Sequence, residues 1–186
     1  MRAGSAASWT GVQVLSVVFV ASLTAAAAQL SFPLPFTPVP FTVQPMVVLL
    51  GAAALGSRLG ALGQLLYLMF GIAGLPVFAF SPELPPGIAR LMGPTAGYLL
   101  AYPIAAGVTG WLAERGFDRR YGSSILAMGA GLAVIFGGGV LWLSTSVGWR
   151  LAVADGFVPF VAVDAVKVLA AGLVLPSVWR LLGPAR

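Results

Sequence analysis

Six apolar stretches run along the sequence, at residues 12–30, 43–55, 61–75, 95–113, 123–146 and 158–182, divided by Pro, Gly or charged residues. Each predicts a helix. The runs are rich in Ala and Leu and lack the apolar-out, polar-in alternation of a membrane barrel, so strands are not expected. The second and third stretches are short and separated only by Gly56-Ser57-Arg58-Leu59-Gly60. That spacing suits a tight helical hairpin, the preferred reading, or one long broken helix. Between the first and second stretches, Phe32-Pro33-Leu34-Pro35-Phe36-Thr37-Pro38-Val39-Pro40-Phe41-Thr42-Val43-Gln44-Pro45 holds five prolines and no charge, which forbids regular helix. With Thr37, Thr42 and Gln44 as its hydrogen-bonding groups, it reads either as a lid over a small, partly apolar solute or as a stiff connector. No internal repeat or low-complexity linker divides the chain, so residues 1–186 are read as a single transmembrane domain.

Composition decides where such helices live. The chain is 59% hydrophobic and 8% charged, with a mean hydropathy of +0.99, and several runs approach the ~20 residues that a spanning helix needs. A soluble enzyme is excluded. With no Cys and no His, thiolate nucleophiles, imidazole bases and the usual transition-metal sites go as well, and no cofactor or metal is expected. The ten Lys and Arg residues form no basic stripe of the kind that tracks nucleic acid. They do sort by side. With the N-terminus inside, seven (Arg2, Arg58, Arg115, Arg119, Arg120, Arg180, Arg186) fall in cytoplasmic segments and two (Arg90, Arg150) outside, with Lys167 inside a helix. The expectation is an all-α, polytopic integral membrane protein with six transmembrane helices and both termini cytoplasmic. Trp9, Trp111, Trp142, Trp149 and Trp179 near helix ends agree with headgroup-level rings. Arg2, the apolar run 12–23 and the small Ala26 and Ala28 also describe a cleavable signal peptide, whose loss would leave five helices.

An ionisable side chain inside a span costs at least ~2.5–3.5 kcal/mol on insertion scales, and only the last helix carries any in its core. Asp164 and Lys167 lie three residues apart, on one face. With the helix entered from outside near Val158, they sit roughly 9–14 Å below its outer end at ~1.5 Å per residue, facing an outward-opening pocket. A purely internal ion pair is the competing reading. Arg90 is the one basic residue of the loop before the fourth helix, either a ligand contact or a headgroup anchor. Gly93-Pro94-Thr95 reads as a turn whose hydroxyl and amides can meet a ligand oxygen, or as helix initiation alone. Arg90 and Lys167 against Asp164 leave a net charge of +1, which suits a small monoanion with a separate N–H group for Asp164. Ala21 and Ala25 form a small-xxx-small pair that permits close helix approach in lipid. Gly137-Gly138-Gly139 marks either close packing or a local break. No Gly-x-x-x-x-Gly-Lys-Ser/Thr loop is present, so a P-loop for ATP is absent.

Taken in order, Pro33-Leu34-Pro35, Val39-Pro40-Phe41-Thr42-Val43-Gln44, Leu55-Gly56-Ser57-Arg58-Leu59-Gly60-Ala61, Gly74-Leu75-Pro76-Val77-Phe78, Gly93-Pro94-Thr95-Ala96-Gly97-Tyr98-Leu99-Leu100 and Asp164-Ala165-Val166-Lys167 resemble the BioY family, the biotin-specific substrate-binding components of energy-coupling-factor (ECF) transporters. The resemblance implies a six-helix protein of the bacterial cytoplasmic membrane. It would capture biotin outside and release it inward when joined to a transmembrane coupling protein and a pair of ABC ATPases. It implies binding roles for Asp164, Lys167 and Arg90, extends the site to Gly93, Thr95, Tyr98 and Gln44, and matches Ala21 and Ala25 to the motif that docks onto the coupling protein. Which cation meets the carboxylate stays open. The chain departs from the family pattern at Val43, Ala96 and Ala79-Phe80, the last implying loss of a side-chain amide contact. A substrate-binding component for another small anionic vitamin and a proton-coupled carrier working through Asp164 are the alternatives.

Overall fold

A computed structural model describes residues 10–80 and 85–182. In chain order it contains α1 (Gly11–Gln29), β1 (Ser31–Leu34), β2 (Thr37–Thr42), α2 (Gln44–Leu55), α3 (Ser57–Ile72), α4 (Ala96–Glu114), α5 (Tyr121–Val147), α6 (Trp149–Gly156) and α7 (Val158–Leu182), with 3₁₀ turns at Gly87–Met92 and Phe117–Arg119. Each of the six apolar stretches is thus helical, and the protein is mostly helix. Arg2, Trp9, Glu83 and Arg186 lie outside the described residues, as does the start of any signal peptide.

Local chemistry sets the ends. Thr10 and Gln13 form a capping box at the start of α1. At Gly56, φ is 85°, which lets the chain leave α2 and enter α3 directly. The hairpin reading of residues 43–75 is therefore the observed one. Gly60 lies against Ala52 and Gly110 against the Gly56–Ser57 backbone, contacts that a Cβ would block.

Two features depart from the expectation of six helices and no strands. The Pro-rich segment is a two-stranded antiparallel hairpin, with Ser31 opposite Thr42, Phe32 opposite Phe41 and Leu34 opposite Thr37. Proline fixes φ near its extended value, and in a sheet of only two strands the missing N–H groups can face away from the ladder. The second departure is α6, which begins after Gly148 (φ 81°) ends α5.

Length also differs from the six-span expectation. Among the described residues four helices, α1, α4, α5 and α7, are long and apolar enough to cross a membrane. The 12 residues of α2 and 16 of α3 rise only about 18 and 24 Å at ~1.5 Å per residue, short of a ~30 Å hydrocarbon core. Burial is uneven too: α4 is 61% buried across its window, whereas α1 and α7 are each 28% buried. The central helix α4 packs most extensively on α5 and also touches α2 and α3. Glycine makes the α4–α5 contact close, since a Cβ on Gly97 would overlap Gly138 and Trp142, and one on Gly138 would crowd Ala101. The triple glycine therefore serves packing, because α5 runs through it unbroken.

Candidate functional site

At one end of the bundle, the elements that flank α4 leave a cleft partly open to solvent. Its walls come from the hairpin and its exit (Val39, Thr42, Gln44), the segment after α3 (Phe78, Ala79), the 3₁₀ turn (Arg90), α4 (Thr95, Tyr98, Tyr102), α5 (Phe136) and α7 (Phe160, Asp164). Five sequence-predicted residues, Gln44, Arg90, Thr95, Tyr98 and Asp164, thus come together from four separate segments. Gly93 and Lys167 do not line it.

Asp164 is 5% exposed. Its Oδ1 accepts from Lys167 Nζ at 2.7 Å, while Oδ2 has no protein hydrogen bond among the described residues. The ammonium of Lys167 also donates to the Thr42 carbonyl at 2.6 Å and lies 3.8 Å from the centre of the Phe41 ring. Lys167 stands behind Asp164 and ties α7 to the end of β2. The expected one-face pair is present, with only its carboxylate on the cleft.

Arg90 is 5% exposed, which excludes its reading as a headgroup anchor. Nη2 donates to the Ala79 carbonyl at 2.6 Å, and Nε is buried without a partner. Burial lowers the guanidinium pKa from its ordinary value, yet an arginine stays protonated at neutral pH. Thr95 Oγ1 is likewise buried and unpartnered. Two orphan donors and one half-used carboxylate in an apolar-walled cleft are costly unless a ligand completes them.

The remaining predicted residues play other parts. The Tyr98 hydroxyl donates to the Gly156 carbonyl at 2.7 Å, so its ring is a wall and its polar tip is committed. A Cβ at Gly139 would overlap that ring. Gly93 accepts from Trp142 Nε1 at 3.0 Å and shapes the turn below Arg90. Thr37 Oγ1 donates to the Asp155 carbonyl at 2.7 Å, fastening the hairpin over α6. In the Ala21/Ala25 pair, Ala21 is fully buried and Ala25 partly buried, on a helix that packs against α2 and α3.

Sequence reasoning missed Tyr67, Phe78, Tyr102 and Phe160. Tyr67 stacks edge-on to Phe78, with ring centres 5.7 Å apart, and lies 6.5 Å from Tyr102. A tyrosine in mid-span needs a partner for its hydroxyl, and that was the available signal.

Comparison with known proteins agrees with this geometry. Residues 5–184 match the model of the BioY family. A "Probable biotin transporter BioY" of Pyrococcus horikoshii is 39% identical over 163 residues, 87% of this chain and 93% of the relative. The "Biotin transporter BioY" of Thermotoga maritima is 39% identical over 164 residues, 87% and 92% of the two chains. In fold, the protein is similar to a solved S-component for biotin from an ECF-type ABC transporter, with a TM-score of 0.79 at 21% identity, covering 95% of this chain and 96% of that one. The chain belongs to the BioY family.

Proposed function

We propose that this protein captures biotin at the outer face of the bacterial cytoplasmic membrane and delivers it inward as the substrate-binding component of an ECF-type transporter. The observation that carries the reading is the coincidence, in one apolar-walled cleft of a BioY-family chain, of the free Oδ2 of Asp164 with the unpartnered donors of Arg90 and Thr95. Biotin brings ureido N–H groups for an acceptor, and ureido and carboxylate oxygens for donors. In this reading Asp164 accepts an N–H, Arg90 and Thr95 meet a ligand oxygen, Lys167 holds Asp164 from behind, and Gln44, Gly93 and Tyr98 shape the site. Transporter relatives and a cleft without a His or Cys support transport rather than catalysis.

The same reading includes six crossings with both termini cytoplasmic. Ser57 bonded to Glu114, and Trp179 to Asp118, gather the α2–α3 junction, the α4–α5 loop and the end of α7 at one pole, together with Arg58, Arg115, Arg119, Arg120 and Arg180. Trp142 bonded to Gly93 and Tyr98 to Gly156 place Arg90 and Arg150 at the other. That bias matches a cytoplasmic first pole. The short α2 and α3 complete their crossings through β2 and the segment after α3, where irregular backbone lines the cleft and is tolerated at membrane depth. Energy comes from a transmembrane coupling protein and two ATPases, because this chain has no P-loop.

Equilibrium binding of radiolabelled biotin to the purified protein in detergent tests the proposal. Tight binding that Asp164→Asn abolishes and excess thiamine leaves intact is the expected result. Folded protein that ignores biotin but binds another anionic vitamin overturns the ligand. Uptake that stops when the proton gradient collapses at constant ATP overturns the energy source.

A further inference from the structure

Lys167 does not line the cleft, and neither does the aromatic ring that covers its ammonium. An ammonium has three hydrogens to place. Lys167 Nζ donates to Asp164 Oδ1 at 2.7 Å and to the Thr42 carbonyl at 2.6 Å, and the Phe41 ring stands over the same atom with its centre 3.8 Å away. The Lys167 side chain is 13% exposed, so the third hydrogen faces protein rather than solvent. The electron-rich face of a ring is a partner for it. The hairpin holds that ring in place, because Phe41 lies between Pro40 and Thr42, both of which line the cleft, and pairs with Phe32 on β1.

A rival for the third hydrogen is close at hand. Asp164 Oδ2 has no protein hydrogen bond among the described residues, and it belongs to the carboxylate that Lys167 already holds. Without the ring, the ammonium gains most by turning its idle hydrogen onto this second oxygen and bridging the whole carboxylate. That arrangement uses up the acceptor that the cleft offers to a ligand N–H. A leucine in place of Phe41 would still pack against the core, as the ring does, yet it has no face to offer a cation.

We propose that Phe41 is a positioning residue: its ring takes the third side of the Lys167 ammonium and so keeps Asp164 Oδ2 free for the ligand. The inference rests on the biotin reading above, in which Asp164 accepts a ligand N–H.

The test is a biotin titration of the full chain purified in detergent, with Phe41 replaced by phenylalanines carrying one, three or five ring fluorines. Fluorination keeps the outline of the ring while draining negative charge from its face, the property on which the cation depends. Affinity falls stepwise along the series, to about fivefold below the parent at five fluorines, and Phe41→Leu is as weak. Since Phe41 does not line the cleft, the trend reads the ammonium and not a ligand contact. The one- and three-fluorine chains keep the test decisive if the five-fluorine chain does not fold. Affinity within twofold of the parent along the fluorine series overturns the proposal, whatever the result for Phe41→Leu, because the ring then serves only by its volume. A folded parent that does not bind biotin overturns the biotin reading instead, and the two failures are distinct.

Discussion

Two buried aspartates sit at opposite ends of α7, and they differ in what their second oxygen meets. Asp118, 8% exposed, accepts from Trp179 Nε1 at 2.6 Å through Oδ2, while Oδ1 lies 3.7 Å from Arg119. Arg119 in turn stacks 3.7 Å over the Trp179 ring. Asp164, equally buried, gives one oxygen to Lys167 and leaves the other on the cleft. Burial does not separate the two carboxylates, whereas the unused valence does. The poles as a whole follow suit. Glu114 caps Ser57 through both its amide, at 2.7 Å, and its hydroxyl, at 2.9 Å, and Arg115 lies over Trp111. At the cleft, by contrast, Arg90 and Thr95 keep buried donors unpaired. Among the described residues, Ser124, at the start of α5, is a buried hydroxyl without a partner at the paired pole.

The comparison is broken most directly at Asp164. Asp164→Asn removes the charge but keeps the shape, and biotin affinity should fall about 100-fold, since a charge-assisted hydrogen bond is lost and Lys167 loses its counter-ion. Radiolabelled binding reads this. If Asp118→Asn has the same effect, the distinction between the two carboxylates collapses. Arg90→Ala sharpens the contrast from the donor side. It should weaken biotin by about thirtyfold, the range of a lost charged donor, with the deficit smaller for an analogue lacking the oxygen that Arg90 meets. Gly139→Ala leaves every charge in place and pushes Tyr98 off its seat. Overpacking should cost about 1–2 kcal/mol of stability and narrow the cleft, visible as a lower melting temperature together with weaker binding. Smallest is Asp118→Asn, which should cost about 1 kcal/mol of stability and leave biotin affinity within about twofold. Trp179→Phe should give a similar loss, and the double variant no more than either alone.

Much of the helical frame was legible because apolar runs and their breakers are local. Residues 43–75 already showed two short helices around Gly56, and Asp164-Ala165-Val166-Lys167 announced one shared face. The hairpin was legible only as non-helix, since prolines forbid a helix without naming the strand partner, and α6 fell between two stretches because its eight residues are too few for a strong pattern. Of the site, the ionised members stood out against an apolar background. What did not show was which residues meet: Lys167 proved to stand behind Asp164, and the Arg90–Ala79 contact uses a backbone carbonyl that has no side-chain signature.

The position of Lys167 carries a kinetic consequence. One ammonium holds both the carboxylate that lines the cleft and the carbonyl at the end of the hairpin that roofs it. Lifting the hairpin at Thr42 therefore breaks a bond to the same group that sets the charge on the cleft floor. In the capture reading proposed above, residence time and entry rate are coupled through this single side chain. A lysine shortened or neutralised here would speed escape of the captured molecule as well as weaken its hold, because the tether that slows opening and the charge that favours the bound state are the same atom.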